Sequence, residues 1–187
     1  MGIIYLARHA TPRWDMPEIP YHIPPGPPLS DMGNAEAIEL ARFFSRQNIG
    51  YCLSSPLIRA YKTAQFTAEL CEVPLEIRTG LHEKEPEETY EMEQTRLLPI
   101  LAEAFRLSDI YGPVVLFTHG SPIVCMLKES GLSREARLAH CWFDHKNAVS
   151  TAGAWRLEKT NENTIRIQMV FSPTTQGKPK AAGKIYP

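Results

Sequence analysis

Two five-residue runs constrain this chain more than anything else in it: "IIYLA" at Ile3–Ala7 and "VVLFT" at Val114–Thr118. Each is apolar almost without a break, so a strand made from it has no polar face for water and must be covered on both sides. The sequence around them supplies the cover. Ser30 offers an N-cap to a helix over Asp31–Arg46, with Ala37, Ile38, Leu40, Ala41 and Phe44 on one stripe. Tyr51–Leu53 reads as a brief strand, after which Ser55 caps a helix that Pro56 opens and that runs to about Cys71. "VPLEIRT" is a third strand, and the helical sequence from Thr89 is expected to break or kink at Pro99. Beyond Thr118, His119 ends the strand, Gly120 turns, Ser121 caps, Pro122 starts a helix and Gly131 stops it. Runs at Val149–Leu157 and Ile165–Phe171, separated by Asn161–Asn163, read as a terminal hairpin. The alternation predicts one α/β domain over residues 1–171, a three-layer α/β/α sandwich with a mostly parallel central sheet. Residues 172–187, polar and containing Pro and Gly, are expected to form a mobile tail.

Charge narrows the partners. Lys and Arg total 20 against 21 Asp and Glu, a formal charge of −1, so nothing global favours nucleic acid or an anionic membrane. An anion site must be a local concentration of positive groups. No apolar run approaches the ~20 residues of a membrane span. Cys52, Cys71, Cys125 and Cys141 are widely spaced with no CxxC pair, and with no secretory leader read at the N-terminus they are expected to be reduced thiols in a cytoplasmic protein. Oligomeric state is not legible.

Both apolar runs end in histidine, as "YLARH" and "LFTH". In open α/β sheets, sites form outside the carboxyl ends of strands. Parallel strands would bring His9 and His119 to one edge, with Arg8 beside them and Arg59 in the first turn of the helix after the second strand. Two guanidinium groups offer planar, bidentate donors for phosphate oxygens. A neutral histidine can attack phosphorus if a carbonyl holds its other ring nitrogen as N–H, and a second, protonated one can stabilise the transferring charge. The leaving oxygen needs a proton donor, which "LHEKE" offers as Glu83 or Glu85 after the third strand. Such chemistry needs no metal, and no Cys/His/Asp cluster at metal spacing accompanies the set. Singly, each residue has a bland reading: a solvated strand end, a surface arginine, an acidic loop. Recurrence at three strand exits argues for a site.

The blocks "RHATPRWD", "PPLSDMG", "SSPLIRAYKTA", "LHE" and "VVLFTHGSPI", in this order over roughly residues 3 to 150, resemble the histidine phosphatase superfamily, also called phosphoglycerate mutase-like. The resemblance implies that fold, with His9 as the phosphorylated nucleophile and Arg8, Arg59 and His119 as the phosphate pocket. It adds Thr11 and Gly120 as phosphate-binding candidates and Glu83, the acid of "LxE", as the proton donor. It implies a metal-independent phosphomonoester phosphatase of the histidine acid type, with no cofactor and a small-molecule phosphomonoester or phosphoprotein as substrate. A phosphoglycerate mutase-type phosphotransferase and a non-catalytic phosphate-binding regulatory module are the alternatives. The chain departs from the family's pattern at Ala10, Pro12 and Asp15, where the pattern has Gly, a hydroxyl residue and often Asn. An added carboxylate at Asp15 would repel phosphate unless it turns away or meets Arg13.

Other features carry less. Trp14, Tyr21 and Pro24–Pro28 suit a rim or lid over the site, and His22 and His82 could line it. Cys141 and His145, four apart in "HCWFDH", could share a metal on a helix but have no further ligand nearby. Lys178, Lys180 and Lys184 suit a solubilising patch.

Overall fold

The two apolar runs become neighbours. In the computed structural model, which describes residues 2–141, 147–160, 164–176 and 185–186, β1 (Ile3–Arg8) and β4 (Val114–Thr118) pair in parallel, with Arg8 opposite Thr118. β2 (Tyr51–Ser54) takes the other side of β4, and β3 (Leu75–Ile77) extends β2, again in parallel. On the far side of β1 the sheet turns antiparallel through β5 (Ala154–Lys159), β6 (Ile165–Phe171) and β7 (Ile185–Tyr186). The order is β3-β2-β4-β1-β5-β6-β7. The sheet is therefore parallel from β3 to β1 and antiparallel beyond it. Its parallel strands need helical crossovers, whereas β5 and β6 follow one another as a hairpin and add directly to the open edge of β1.

Strand alternation divides the core in two. Ile4, Leu6, Val114 and Leu116 face α3 (Tyr90–Tyr111) and α4 (Gly120–Glu129). Tyr5, Ala7, Val115 and Phe117 face α1 (Asp31–Phe44) and α2 (Ile58–Cys71). Every residue of β4 is buried, as a strand covered on both faces requires, and each such Val, Leu or Phe stabilises the fold by about 1.5–3 kcal/mol. The three expected layers are present. A short helix α5 (Arg134–Leu138), capped by Ser133, was not anticipated.

Several element boundaries differ from the sequence reading, each for a local reason. Ser30 caps α1 as expected, its hydroxyl accepting from the Gly33 N–H, but Ile38 faces outward and Glu36 occupies the buried stripe instead. Ser55 does not cap α2, which begins at Ile58 with Leu57 as N-cap; its hydroxyl accepts from the Leu57 N–H at 3.3 Å and faces His119. α3 runs unbroken through Pro99, which lies on the exposed face, where water can reach the carbonyl it leaves without a partner. α4 starts at Gly120 with His119 as N-cap, so Pro122 falls in the first turn, where an N–H is not needed. Gly131, at φ +99°, follows that helix as expected.

The segment from Ser172 is described in two places. Thr174–Gln176 form a 3-10 turn against α1, with the Thr175 hydroxyl donating to Glu36 Oε1 at 2.7 Å. Ile185–Tyr186 pair with β6, and the Tyr186 hydroxyl meets His140 Nε2 at 3.1 Å. Lys178, Lys180, Lys184, His145 and Asn161–Asn163 lie outside the described residues. No helix among the described residues is long and apolar enough to cross a membrane.

Candidate active site

Register delivers the two histidines together. Arg8 is opposite Thr118, the His9 N–H donates to the Thr118 carbonyl at 2.9 Å, and the next residues on both strands, His9 and His119, place their ring centroids 5.1 Å apart. Both are fully buried, with Arg8 and Arg59 beside them. Arg8 Nη1 donates to the Val149 carbonyl at 3.1 Å, and Arg59 Nη2 donates to His119 Nδ1 at 3.2 Å. Arg59 Nε is buried with no hydrogen-bond partner. A buried donor left unpaired costs about 1–3 kcal/mol, and more when charged, so this pocket is built to receive acceptor oxygens. The N-terminus of α4, opening at His119, adds its positive dipole end.

The tautomers follow from the partners. His9 Nδ1 lies 2.8 Å from the Ala10 carbonyl and must carry the proton, which leaves the Nε2 lone pair free to attack. His119 Nδ1 accepts from Arg59, so its proton sits on Nε2 and is donated to Ser55 Oγ at 2.8 Å. Burial, then the charges of Arg59 and Arg8, push His9 well below its ordinary 6.5. Burial, then His9 and the same two arginines, do so for His119. The protein frame alone thus favours a neutral His119. A dianionic phosphoryl group would oppose that push.

Glu83 is the carboxylate that reaches this cluster. Its Oε2 is 4.0 Å from His119 Nδ1 and its side chain is 13% exposed, while its Oε1 accepts from the Lys84 N–H at 3.0 Å. Glu85 is exposed, and its N–H is bound to Glu88. The ligand atoms of His9, Glu83 and His119 lie within 4.8 Å of one another, a set that could hold a metal ion. The donor types suit a transition metal, but two buried guanidinium groups in the same pocket favour an anion over a divalent cation.

Not every candidate converges. Thr11 has both polar groups engaged, its N–H with Glu36 Oε2 at 2.9 Å and its hydroxyl with Thr151 at 2.9 Å. Gly120 lies against Asn147, where a Cβ would come within 1.8 Å of Asn147 Oδ1. Asp15 meets Arg13 at 2.8 Å on the surface, so its carboxylate is neutralised. Pro12 forms a bridge with Leu29 that pins the start of the long loop. His82 Nδ1 is engaged with the Glu83 carbonyl at 2.7 Å.

Four contributors escaped the sequence reading. Ser55 accepts the His119 Nε2–H. Thr63 accepts the Ala10 N–H at 3.0 Å and donates to the Arg59 carbonyl at 2.7 Å, tying the loop after His9 to α2. Glu36, 1% exposed, holds that loop from α1. Tyr21, read only as rim, brings its hydroxyl to 3.4 Å from His9 Nε2 and lays its ring on the Arg59 guanidinium, 3.9 Å to the centroid. A charged residue on an otherwise apolar stripe was the available signal for Glu36. Nothing in the spacing marked Tyr21.

The model of the histidine phosphatase superfamily (branch 1) matches residues 4–86. No curated protein matches the sequence significantly. Among solved structures, a mycobacterial glucosyl-3-phosphoglycerate phosphatase in complex with VO3 shares 18% identity at a TM-score of 0.72, covering 92% of this chain and 99% of that one. A phosphoglycerate mutase from Bacillus anthracis shares 16% at 0.71, covering 90% and 92%. A putative alpha-ribazole-5'-P phosphatase from Escherichia coli shares 16% at 0.69, covering 91% and 96%. At these identities the structures speak for the fold, which is the phosphoglycerate mutase-like one. Residues 4–86 are thus similar to the histidine phosphatase superfamily, and the shared fold extends that likeness over most of the chain.

Proposed function

We propose that the chain is a phosphomonoester phosphatase acting on small molecules through a phosphohistidine on His9, without a metal. The observation that carries this reading is the orientation of His9: its Nδ1–H is held by the Ala10 carbonyl, so the Nε2 lone pair faces a pocket containing Arg8, Arg59 and His119. His9 Nε2 attacks phosphorus in line, the bond to the leaving oxygen breaks, and Glu83 gives that oxygen its proton. Glu83 then takes a proton from water, which cleaves the N–P bond and releases inorganic phosphate. Arg8 and Arg59 bind the equatorial oxygens, and His119 joins them once the phosphoryl charge protonates its Nδ1, so catalysis rests on positioning and electrostatic stabilisation. Glu83 is favoured over Glu85 because only Glu83 reaches the cluster.

The mutase reading ranks lower, although one solved neighbour is named a phosphoglycerate mutase. A mutase must hold a second acidic group, and the segment after Glu83, "KEPEE", is mainly acidic. The test is direct. Wild type should release phosphate from an aryl phosphate and, quenched in alkali, carry an acid-labile phosphoryl group that His9→Ala lacks. Binding of vanadate with no release from any monoester would instead favour a non-catalytic module.

A further inference from the structure

Beside the nucleophile, the long loop and the Glu83 loop enclose a cavity lined by Pro20, Tyr21, His22, Ile23, Glu85 and Pro86. Tyr21 is shared with the phosphoryl pocket through its hydroxyl near His9 Nε2, and Glu85 lies two residues beyond the proposed proton donor. The cavity therefore borders the phosphoryl pocket across Tyr21. Its walls are mostly apolar, and they continue outward: Ile23 is 63% exposed and Trp14 61%. Trp14 stacks on Tyr21 with centroids 5.4 Å apart and planes 15° from parallel. One polar atom stands out, His22 Nδ1, buried without a hydrogen-bond partner.

The charges decide what can enter. Glu85 is the one charged residue of the lining, and no Lys or Arg is part of it. Arg13 is paired with Asp15, and Arg59 is held by the Tyr21 carbonyl and ring. A carboxylate or second phosphate on the leaving group would face Glu85 with no counter-charge in the lining. Like-charge opposition of this kind selects against a ligand as firmly as good contacts select for one.

We propose that this cavity receives the leaving group and that the substrate is a phosphomonoester of an uncharged, largely apolar alcohol, with one hydrogen-bonding group for His22 and with Tyr21 as the specificity-determining wall. The inference rests on the phosphatase reading above. To test it, kcat/KM is compared for 2-phenylethyl phosphate and 3-phosphoglycerate, both esters of alkyl alcohols, in wild type and in Glu85→Lys, an exposed-loop substitution outside the catalytic cluster. Wild type should prefer the phenylethyl ester by roughly 10-fold or more, and Glu85→Lys should narrow that ratio by about 10-fold through gain on the anionic ester. Equal or reversed preference in wild type, or a ratio unmoved by Glu85→Lys, overturns the leaving-group assignment while leaving the phosphatase standing. Failure to hydrolyse either ester or an aryl phosphate sinks the phosphatase reading itself.

Discussion

His9 and His119 have the same surroundings and opposite polarity. His9 gives its Nδ1 proton to a carbonyl and turns Nε2 to the pocket; His119 gives its Nε2 proton to Ser55 and accepts from Arg59 at Nδ1. Ser55→Ala removes the acceptor of the His119 Nε2–H, leaving a buried N–H unpaired at a cost of about 1–3 kcal/mol. A fall in kcat of roughly 10-fold is expected, with KM for an aryl phosphate little changed, read by steady-state kinetics. The depressed titration of both histidines has a second consequence. His9 stays unprotonated well below pH 6.5, so if it is the proposed nucleophile the acid limb of kcat/KM should fall below that value, not at it; an acid limb centred at 6.5 would contradict the electrostatics. Residues whose roles depend only on local order, such as Arg8 next to His9, were legible in the sequence. Ser55 was misread because a serine before proline has a strong local role as a helix cap, and only the neighbouring strand reveals the better partner.

At the scale of elements, the strands were legible because burial on both faces leaves a continuous apolar run. Helix boundaries were less so, since capping residues are taken for tertiary work and a proline on an exposed face is tolerated. The contact between α1 and the nucleophile loop shows how tightly these elements meet. A Cβ at Gly33 would lie 2.0 Å from the Thr11 carbonyl oxygen, so Gly33→Ala must push α1 away from the loop that follows His9. Overpacking of this kind costs typically about 1–3 kcal/mol. Both the melting temperature and kcat should drop; an unchanged kcat would mean that the loop holds His9 without α1.

For the whole molecule, the sheet separates tasks. The exits of β1, β2 and β4 and the segment beyond β3 supply His9, Ser55, His119 and Glu83, whereas β5 to β7 contribute packing. Tyr186 closes that second half, its ring against Trp155 and His140. Tyr186→Ala should therefore lower stability by about 2–4 kcal/mol in chemical denaturation while kcat stays near wild type; loss of activity in folded protein would show that the two halves are coupled. The terminal hairpin was readable, but the edge it joins and the return of the last strand were not, because a tertiary edge decides the first and a two-residue strand leaves no periodicity.

Glu36 joins these scales. It holds the Thr11 amide with one oxygen and the Thr175 hydroxyl with the other, so one buried carboxylate links the loop after His9 to the segment after β6. An amide proton donated to a buried carboxylate exchanges slowly with solvent and resonates apart from its neighbours. In a labelled sample the Thr11 amide thus becomes a built-in spectroscopic reporter, in which events near Thr175 would register two residues away from His9.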